Sequence, residues 1–254
     1  IRRALQELIV HFPVYRTYIS ARGRSELDDV FFLQALAGAR STLSEGDWPV
    51  LDYLEKWLGG QPWRDRPLGR ERKMLKHACV RFQQLTSPAA AKAVEDTAFY
   101  RSGVLLSRND VGFSTEQFSA PLEAFHAVNQ QRLRTFPDNL LATATHDHKR
   151  GEDTRARLAV LSECAEWYAE QVEQWRTLAA RLRSDGQTPS AGDELILYQV
   201  LLGSWPLDLH RDDAEGLADY HRRLWQWQQK ALREAKLNSS WSAPNEPYEQ
   251  GVEA

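Results

Sequence analysis

The sequence predicts a mostly α-helical chain that carries one buried strand. Two observations point there. Apolar residues recur at helical spacing, between recognisable start and stop signals, along most of the 254 residues. Only one short apolar run, Leu140 to Thr145, reads as a strand. A compact fold of this length buries about 70–75% of the surface its unfolded chain exposes, so amphipathic helices can share a core.

The elements follow in order. "RRALQELIVHF" sets Leu5, Leu8, Ile9 and Phe12 on one helical face before Pro13 stops the run. "SELDDVFFLQALAGA" opens with a capping-box pattern, Ser25 and Asp28, and its periodicity buries Leu27, Phe31 and Leu36. In "DWPVLDYLEKWLGG", Asp47 reads as the N-cap and Pro49 as a first-turn residue. Leu51, Leu54 and Leu58 form the stripe, and Gly59-Gly60 ends it. A fourth helix is predicted from about Arg70 to Leu85, with Met74, Ala78, Phe82 and Leu85 inward and Thr86-Ser87-Pro88 closing it.

Periodicity weakens between Pro88 and Phe113, a stretch rich in charge and aromatics. A helix from about Ser119 to Arg134 follows, then Pro137-Asp138 turns into the strand. Beyond it, Leu158, Leu161, Ala165, Tyr168, Val172, Trp175 and Leu182 mark one long helix running to Asp185-Gly186. "SAGDELILYQVLLG" and "LADYHRRLWQWQQKALREAK" predict two more helices ahead of the Pro-containing tail "SSWSAPNEPYE". Trp48, Trp57, Trp167, Trp175, Trp225 and Trp227 lie at helical spacing, which predicts core packing.

Bulk properties narrow the function. A net charge of -3 argues against a general polyanion binder, so no nucleic-acid partner is expected. No apolar run approaches ~20 residues, so no membrane span is expected either. Cys79 and Cys164 are far apart, lack metal-ligand spacing and lie in helix-like contexts, which reads as buried free thiols in a reducing cytoplasm. The start at Ile1 and the finish in "PYEQGVEA" suggest a piece of something longer.

The strand delivers His146, Asp147, His148, Lys149 and Arg150 together and then enters a helix. That is the form of one βα unit of an α/β barrel, whose functional groups stand at the carboxyl ends of strands. A lone parallel strand cannot make a sheet, so its partners are expected outside this chain. Asp147 sits where a fixed carboxylate could stabilise positive charge developing on a sugar ring, with His146 as a neutral donor to sugar hydroxyls. "HDHKRGED" also reads as a solvated helix start, with Glu152 and Asp153 at the positive end of the dipole. A metal site from His146, Asp147 and His148 is disfavoured, because adjacent strand residues face opposite ways.

A resemblance weighs on these alternatives. "ATATHDHKRGEDTRARLAVLSE" closely resembles the signature of maltooligosyl trehalose synthases, a branch of the α-amylase superfamily (glycoside hydrolase family 13). "AKAVEDTAFYRSGVLLSRNDVG" at 91–112, "ALREAKLNSSWSAPNEPYE" at 231–249 and "FPVYRTY" at 12–18 are similar to further blocks of that family. The sequence departs from the pattern at Ala93, Ser102, His148 and Ser242-Ala243, and only Ala93, beside Lys92, bears on a binding contact.

The resemblance implies a (1→4)-α-D-glucan 1-α-D-glucosylmutase, an isomerase of trehalose biosynthesis. It turns the reducing-end α-1,4 linkage of a maltooligosaccharide into an α,α-1,1 linkage with retention. Retention needs two carboxyl groups about 5–5.5 Å apart. Both are expected upstream of Ile1, so the segment alone would be inactive, with the rest of the parent enzyme as its partner. Asp147 matches the superfamily's third, charge-stabilising carboxylate after the seventh barrel strand, and His146 its substrate-binding neighbour.

Lys92, Glu95, Asp96, Phe99, Tyr100 and Arg101 become candidates for a closed pocket that keeps the cleaved glucose from water, with Lys149 and Arg150 supporting Asp147. Phe99 and Tyr100 read equally as core, and Glu95 or Asp96 as partners of Arg101. Residues 1–137 would be a helical insertion, and 138–254 the seventh strand with its following helices, stopping before an eighth strand. No cofactor and no metal are implied. A non-catalytic helical interaction module and another amylase-type hydrolase stay open as alternatives.

Overall fold

The computed structural model describes residues 1–183 and 188–253. They form a helical structure, and the only β-type pairing among them is an isolated bridge between Ser20 and Gly23. The chain divides into two compact units, Ile1–Ala93 and Val94–Ala254.

The first unit packs α1 (Arg2–Val10), α2 (Glu26–Thr42), α3 (Trp48–Glu55) and α4 (Arg70–Ala90). The face expected on α1 is the one used: Leu8 is fully buried and Leu5, Ile9 and Phe12 pack around it. Phe12 meets Phe32 and Phe82 edge-on, with ring centroids 6.0 and 5.3 Å away. Ser25 caps α2 through the predicted box, taking the Asp28 N–H while Asp28 takes that of Ser25.

The buried face of α2 is Phe32, Ala35, Leu36 and Ala39, rotated from the expected one; Leu27 is exposed and Phe31 only half-buried. Where a helix is apolar nearly all round, periodicity does not select the face, and the packing partners decide. Arg24 pins this core. Its buried guanidinium lies 4.0 Å from the Phe32 ring centroid, 2.6 Å from both Asp29 and Glu55, and also reaches the Glu55 and Leu58 carbonyls. Leu51 and Leu58 are buried as expected, and Gly59 ends the α3 segment at φ +107, a conformation that suits a residue without Cβ.

Helix α4 overruns its predicted stop. It continues through Thr86, Ser87 and Pro88 to Ala90, then passes into a π-helical stretch, Ala91–Ala98, and α5 (Phe99–Arg101). Pro88 removes one N–H from the helical ladder without ending the helix, and the chain turns π-helical three residues further on. Leu75, Cys79, Phe82, Gln83 and Thr86 face inward, whereas Met74 and Leu85 are exposed.

The second unit continues with α6 (Leu122–Thr135), α7 (Glu152–Ala159), α8 (Ala165–Ala179), α9 (Ala191–Ser204), α10 (Ala214–Ala235) and α11 (Glu246–Glu253). The long helix expected after Gly151 is two: a 3-10 turn, Val160–Ser162, and the non-helical Cys164 separate α7 from α8. There Ser162 donates its hydroxyl to the Ala159 carbonyl (2.7 Å), a side-chain bond that competes with the helical ladder. Leu182 is exposed, and the stop at Asp185-Gly186 lies outside the described residues.

Ser190 and Asp213 cap α9 and α10. Helices α7 and α9 approach closely at Gly203, where a Cβ would stand 2.9 Å from the Thr154 methyl and 3.1 Å from Leu158. The predicted tail is irregular up to Asn245 and ends in α11, held by Glu249: its carboxylate accepts from Arg233 (2.8 and 2.6 Å), Ser239 (2.5 Å) and Gln229 (3.1 Å).

The predicted strand is absent. Residues 140–145 are irregular, with Leu140 and Leu141 exposed, and no residue of α6 is buried. A strand exists only by pairing, and no neighbouring strand is present among the described residues. Of the six tryptophans expected in the core, Trp227 packs half-buried against two buried clusters as expected, and none of the six is fully buried. Trp57 and Trp167 are about half exposed, and the buried tryptophan is Trp63. Of the two thiols, Cys79 is buried and Cys164 half-buried, both unbridged.

Candidate functional site

The residues singled out around the charged turn lie in the second unit, with the exception of Lys92, which is exposed near the end of the first. His146 and Asp147 stand out in solvent, 95% and 73% exposed at the side chain, with the imidazole Nδ1 3.2 Å from the Asp147 carboxylate. Asp147 has a φ of +68. A left-handed conformation costs an L-residue about 1–2 kcal/mol, and aspartate is among the few that adopt it. The turn is closed by His148, whose N–H reaches the Thr145 carbonyl (3.2 Å) and whose Nδ1 accepts the Thr145 N–H (2.9 Å).

The far side of the turn is anchored in the protein. Asp110 is fully buried; Oδ1 accepts the N–H groups of Val111 (2.8 Å) and Lys149 (2.9 Å), and Oδ2 that of Arg150 (3.1 Å). Arg150 reaches back to the Asn109 carbonyl (3.1 Å) and lies 5.9 Å from the Trp227 ring centroid. The Asn109 amide in turn donates to the carbonyls of Phe99 (2.9 Å) and Ser102 (2.6 Å), tying down the end of α5.

The Lys149 ammonium lies 2.5 Å from the Asp96 carboxylate, the two side chains only 9% and 18% exposed. Burial alone would pull the lysine down. The Asp96 hydrogen bond, with Tyr100 and Asp147 adding charge, outweighs it and holds Lys149 above its usual value. Arg150 is shifted the other way, because burial outweighs the attraction of Tyr100 and Asp110. Tyr100 is raised by burial against the opposing pull of Lys149 and Arg150.

The structure therefore brings Asp96, Tyr100, Lys149 and Arg150 together and leaves His146 and Asp147 beyond them. Tyr100 packs on Ala231 and Ala235 of α10 with Trp227 alongside, Phe99 is buried, and Glu95 is buried too. Arg101 donates to the Ala235 carbonyl (2.6 Å), and Asp96 accepts from Lys149. A cavity of about 280 Å³ borders the same turn, lined among others by Lys149, Arg150, Thr154, Tyr220, Arg223 and Trp227. No group of three or more His, Cys, Asp or Glu side chains is placed to hold a metal among the described residues.

Sequence reasoning singles out neither Asn109 nor Asp110: both stand in the "SRNDVG" string without any spacing that marks an anchor. Their partners lie 40 residues away for Asp110–Arg150 and 41 for Asn109–Arg150. The one available signal is a consecutive Asn-Asp pair shortly before a glycine, which ordinarily denotes a turn.

These features define a helical segment in which a buried carboxylate anchors a turn that carries an exposed Asp. No family model matches the chain. It is 36% identical over 173 residues to a Mycobacterium tuberculosis protein named as a putative maltooligosyl trehalose synthase, a match covering 68% of this chain and 21% of the relative. Solved structures agree. The maltooligosyltrehalose synthase of Arthrobacter ramosus superposes with a TM-score of 0.70 at 28% identity, covering 98% of this chain and 28% of that one. A Sulfolobus tokodaii protein described as a hypothetical maltooligosyl trehalose synthase gives 0.70 at 27% identity, covering 98% and 29%. The chain belongs to the maltooligosyl trehalose synthases, and it spans about a fifth of the curated relatives it matches.

Proposed function

We propose that this chain is the part of a maltooligosyl trehalose synthase that supplies the charge-stabilising carboxylate and one wall of the glucose pocket. The observation that carries the proposal is the likeness to that family over 98% of the chain. In this reading residues 1–137 are a helical insertion in a (β/α)8 barrel, and 138–254 hold the seventh barrel strand with its following helices. Residues 140–145 become a strand when paired with the barrel's other strands.

The chemistry follows from the residues. Breaking a glycosidic bond with retention passes through an oxocarbenium-like state and needs a nucleophile and an acid/base, which the rest of the enzyme supplies. Asp147, exposed on this segment, then faces the cleft and stabilises the cation-like ring, while His146 donates to sugar hydroxyls. The freed glucose must stay, turn over and present its anomeric hydroxyl while water is excluded. Lys92, Glu95, Asp96, Phe99, Tyr100 and Arg101 contribute to that enclosure, some by direct contact and some by packing, and Lys149 and Arg150 steady the turn bearing Asp147.

The test is product analysis on the complete enzyme with maltopentaose. Loss of reducing ends with formation of a non-reducing α,α-1,1 product of the same length is the expected result. Release of reducing sugars alone would make the protein an amylase-type hydrolase. No turnover at all would favour a non-catalytic helical module.

A further inference from the structure

We infer that Asp110 is a positioning residue for the transfer reaction, acting through Asp147; the inference rests on the function proposed above. Three observations meet there. Asp110 is fully buried on a loop, far from the turn in sequence, yet both its oxygens accept consecutive backbone N–H groups of that turn, Lys149 and Arg150. A side chain that binds backbone rather than side chains fixes where the main chain runs, whatever residues the turn carries. His148 borders the same carboxylate, its Nε2 4.0 Å from Oδ1 and its side chain only 15% exposed.

Asp147 immediately precedes this anchored stretch and has left-handed backbone. Its carboxylate lies 3.2 Å from His146, itself exposed, and acts electrostatically on Lys149, whose N–H Asp110 holds. Upstream, 140–146 are exposed and are held at two points: Thr143 donates to Glu152 (3.1 Å) and accepts from Arg155, and Thr145 is bonded to His148. Of the contacts that hold this turn, those from Asp110 come from a fully buried side chain, and they fix the backbone that leaves Asp147. An amide at position 110 would keep one acceptor oxygen and turn an N–H₂ toward a backbone N–H, so the clamp would loosen on one side.

The experiment is a double-mutant cycle in the complete enzyme with Asp110→Asn and Asp147→Asn, reading kcat per folded molecule and KM for maltopentaose. Displacing a reacting-site group by about 1 Å costs on the order of 100-fold in rate. Asp110→Asn is expected to lower kcat by about 10- to 100-fold with KM changed less than about threefold. It is expected to have almost no further effect in the Asp147→Asn background.

Asp110→Glu, which keeps both oxygens, is expected to recover part of the rate, and it replaces Asp110→Asn in the cycle should the amide variant fail to fold. Unchanged kcat per folded molecule, or losses that multiply in the double variant, would overturn the positioning role while leaving the function reading intact. Full kcat in Asp147→Asn alone would instead overturn the function reading, and this inference with it.

Discussion

The pair Lys149–Asp96 yields a prediction whose sign depends on which partner is removed. The two charges are 2.5 Å apart and both side chains are more than four-fifths buried. At an effective dielectric of about 20 their attraction is about 7 kcal/mol, and desolvation of each ion takes back several kcal/mol. The net value of the pair is then small, but a lone buried ammonium is costly. Removing a partner from a buried pair costs about 3–5 kcal/mol, and the residual exposure here points to about 3 for Asp96→Ala.

Replacing both partners, Asp96→Ala with Lys149→Met, removes the lysine charge together with its partner and is expected to cost about 1 kcal/mol. The assay is urea unfolding of the chain followed by tryptophan fluorescence. A double variant less stable than Asp96→Ala would refute the reasoning. The pair also sets an alkaline limit. Lys149 is raised above its ordinary 10.5, so its contribution is complete below that value and fades as pH climbs through the folded-state value. Asp96→Asn is expected to flatten that alkaline loss.

Three further outcomes follow. Glu194 is buried; burial alone would raise it, but Arg183, Tyr198 and Arg176 outweigh that and hold it below its ordinary 4.5, so its stabilisation is present above 4.5 and lost as pH falls toward the folded-state value. Melting temperature should therefore drop below pH 4.5, less steeply in Glu194→Gln. Phe32→Ala empties the centre of the first unit's aromatic cluster and is expected to cost about 3–5 kcal/mol in chemical unfolding. The Cys79 thiol is pushed up to about 11, chiefly by burial and against the pull of Arg24. A thiol reagent at about pH 8 should thus modify Cys164 first and reach Cys79 only in denaturant; equal rates on the folded chain would contradict the buried placement.

Much of the helical layout was legible in the sequence, because caps and periodicity are local signals. Ser25, Asp28 and the α1 face behave as their spacing says. What was not legible depended on partners far along the chain. The face of α2 is chosen by Phe12 and Phe82, not by its own pattern. Pro88 reads as a stop, yet α4 runs through it to Ala90 and on into π turns. Leu140–Thr145 has a strand's composition, but strand structure belongs to a sheet, and the described residues have none to offer.

At the site the same division holds. The knot His146 to Arg150 announces itself by composition and resemblance, whereas the anchor Asp110 is invisible until the fold brings it 2.9 Å from the Lys149 N–H. Asp96 was expected among pocket or Arg101-paired residues, and it pairs with Lys149.

The turnover of Asp147→Asn in the complete enzyme tests the central claim most directly. With the side chain 73% exposed, the change should alter stability by no more than about 0.5 kcal/mol. Loss of a preorganised electrostatic partner should lower kcat by about 100- to 1000-fold on maltopentaose. A variant that folds normally and turns over at that reduced rate is the predicted result. One that folds normally and keeps wild-type kcat would contradict the role assigned to this carboxylate.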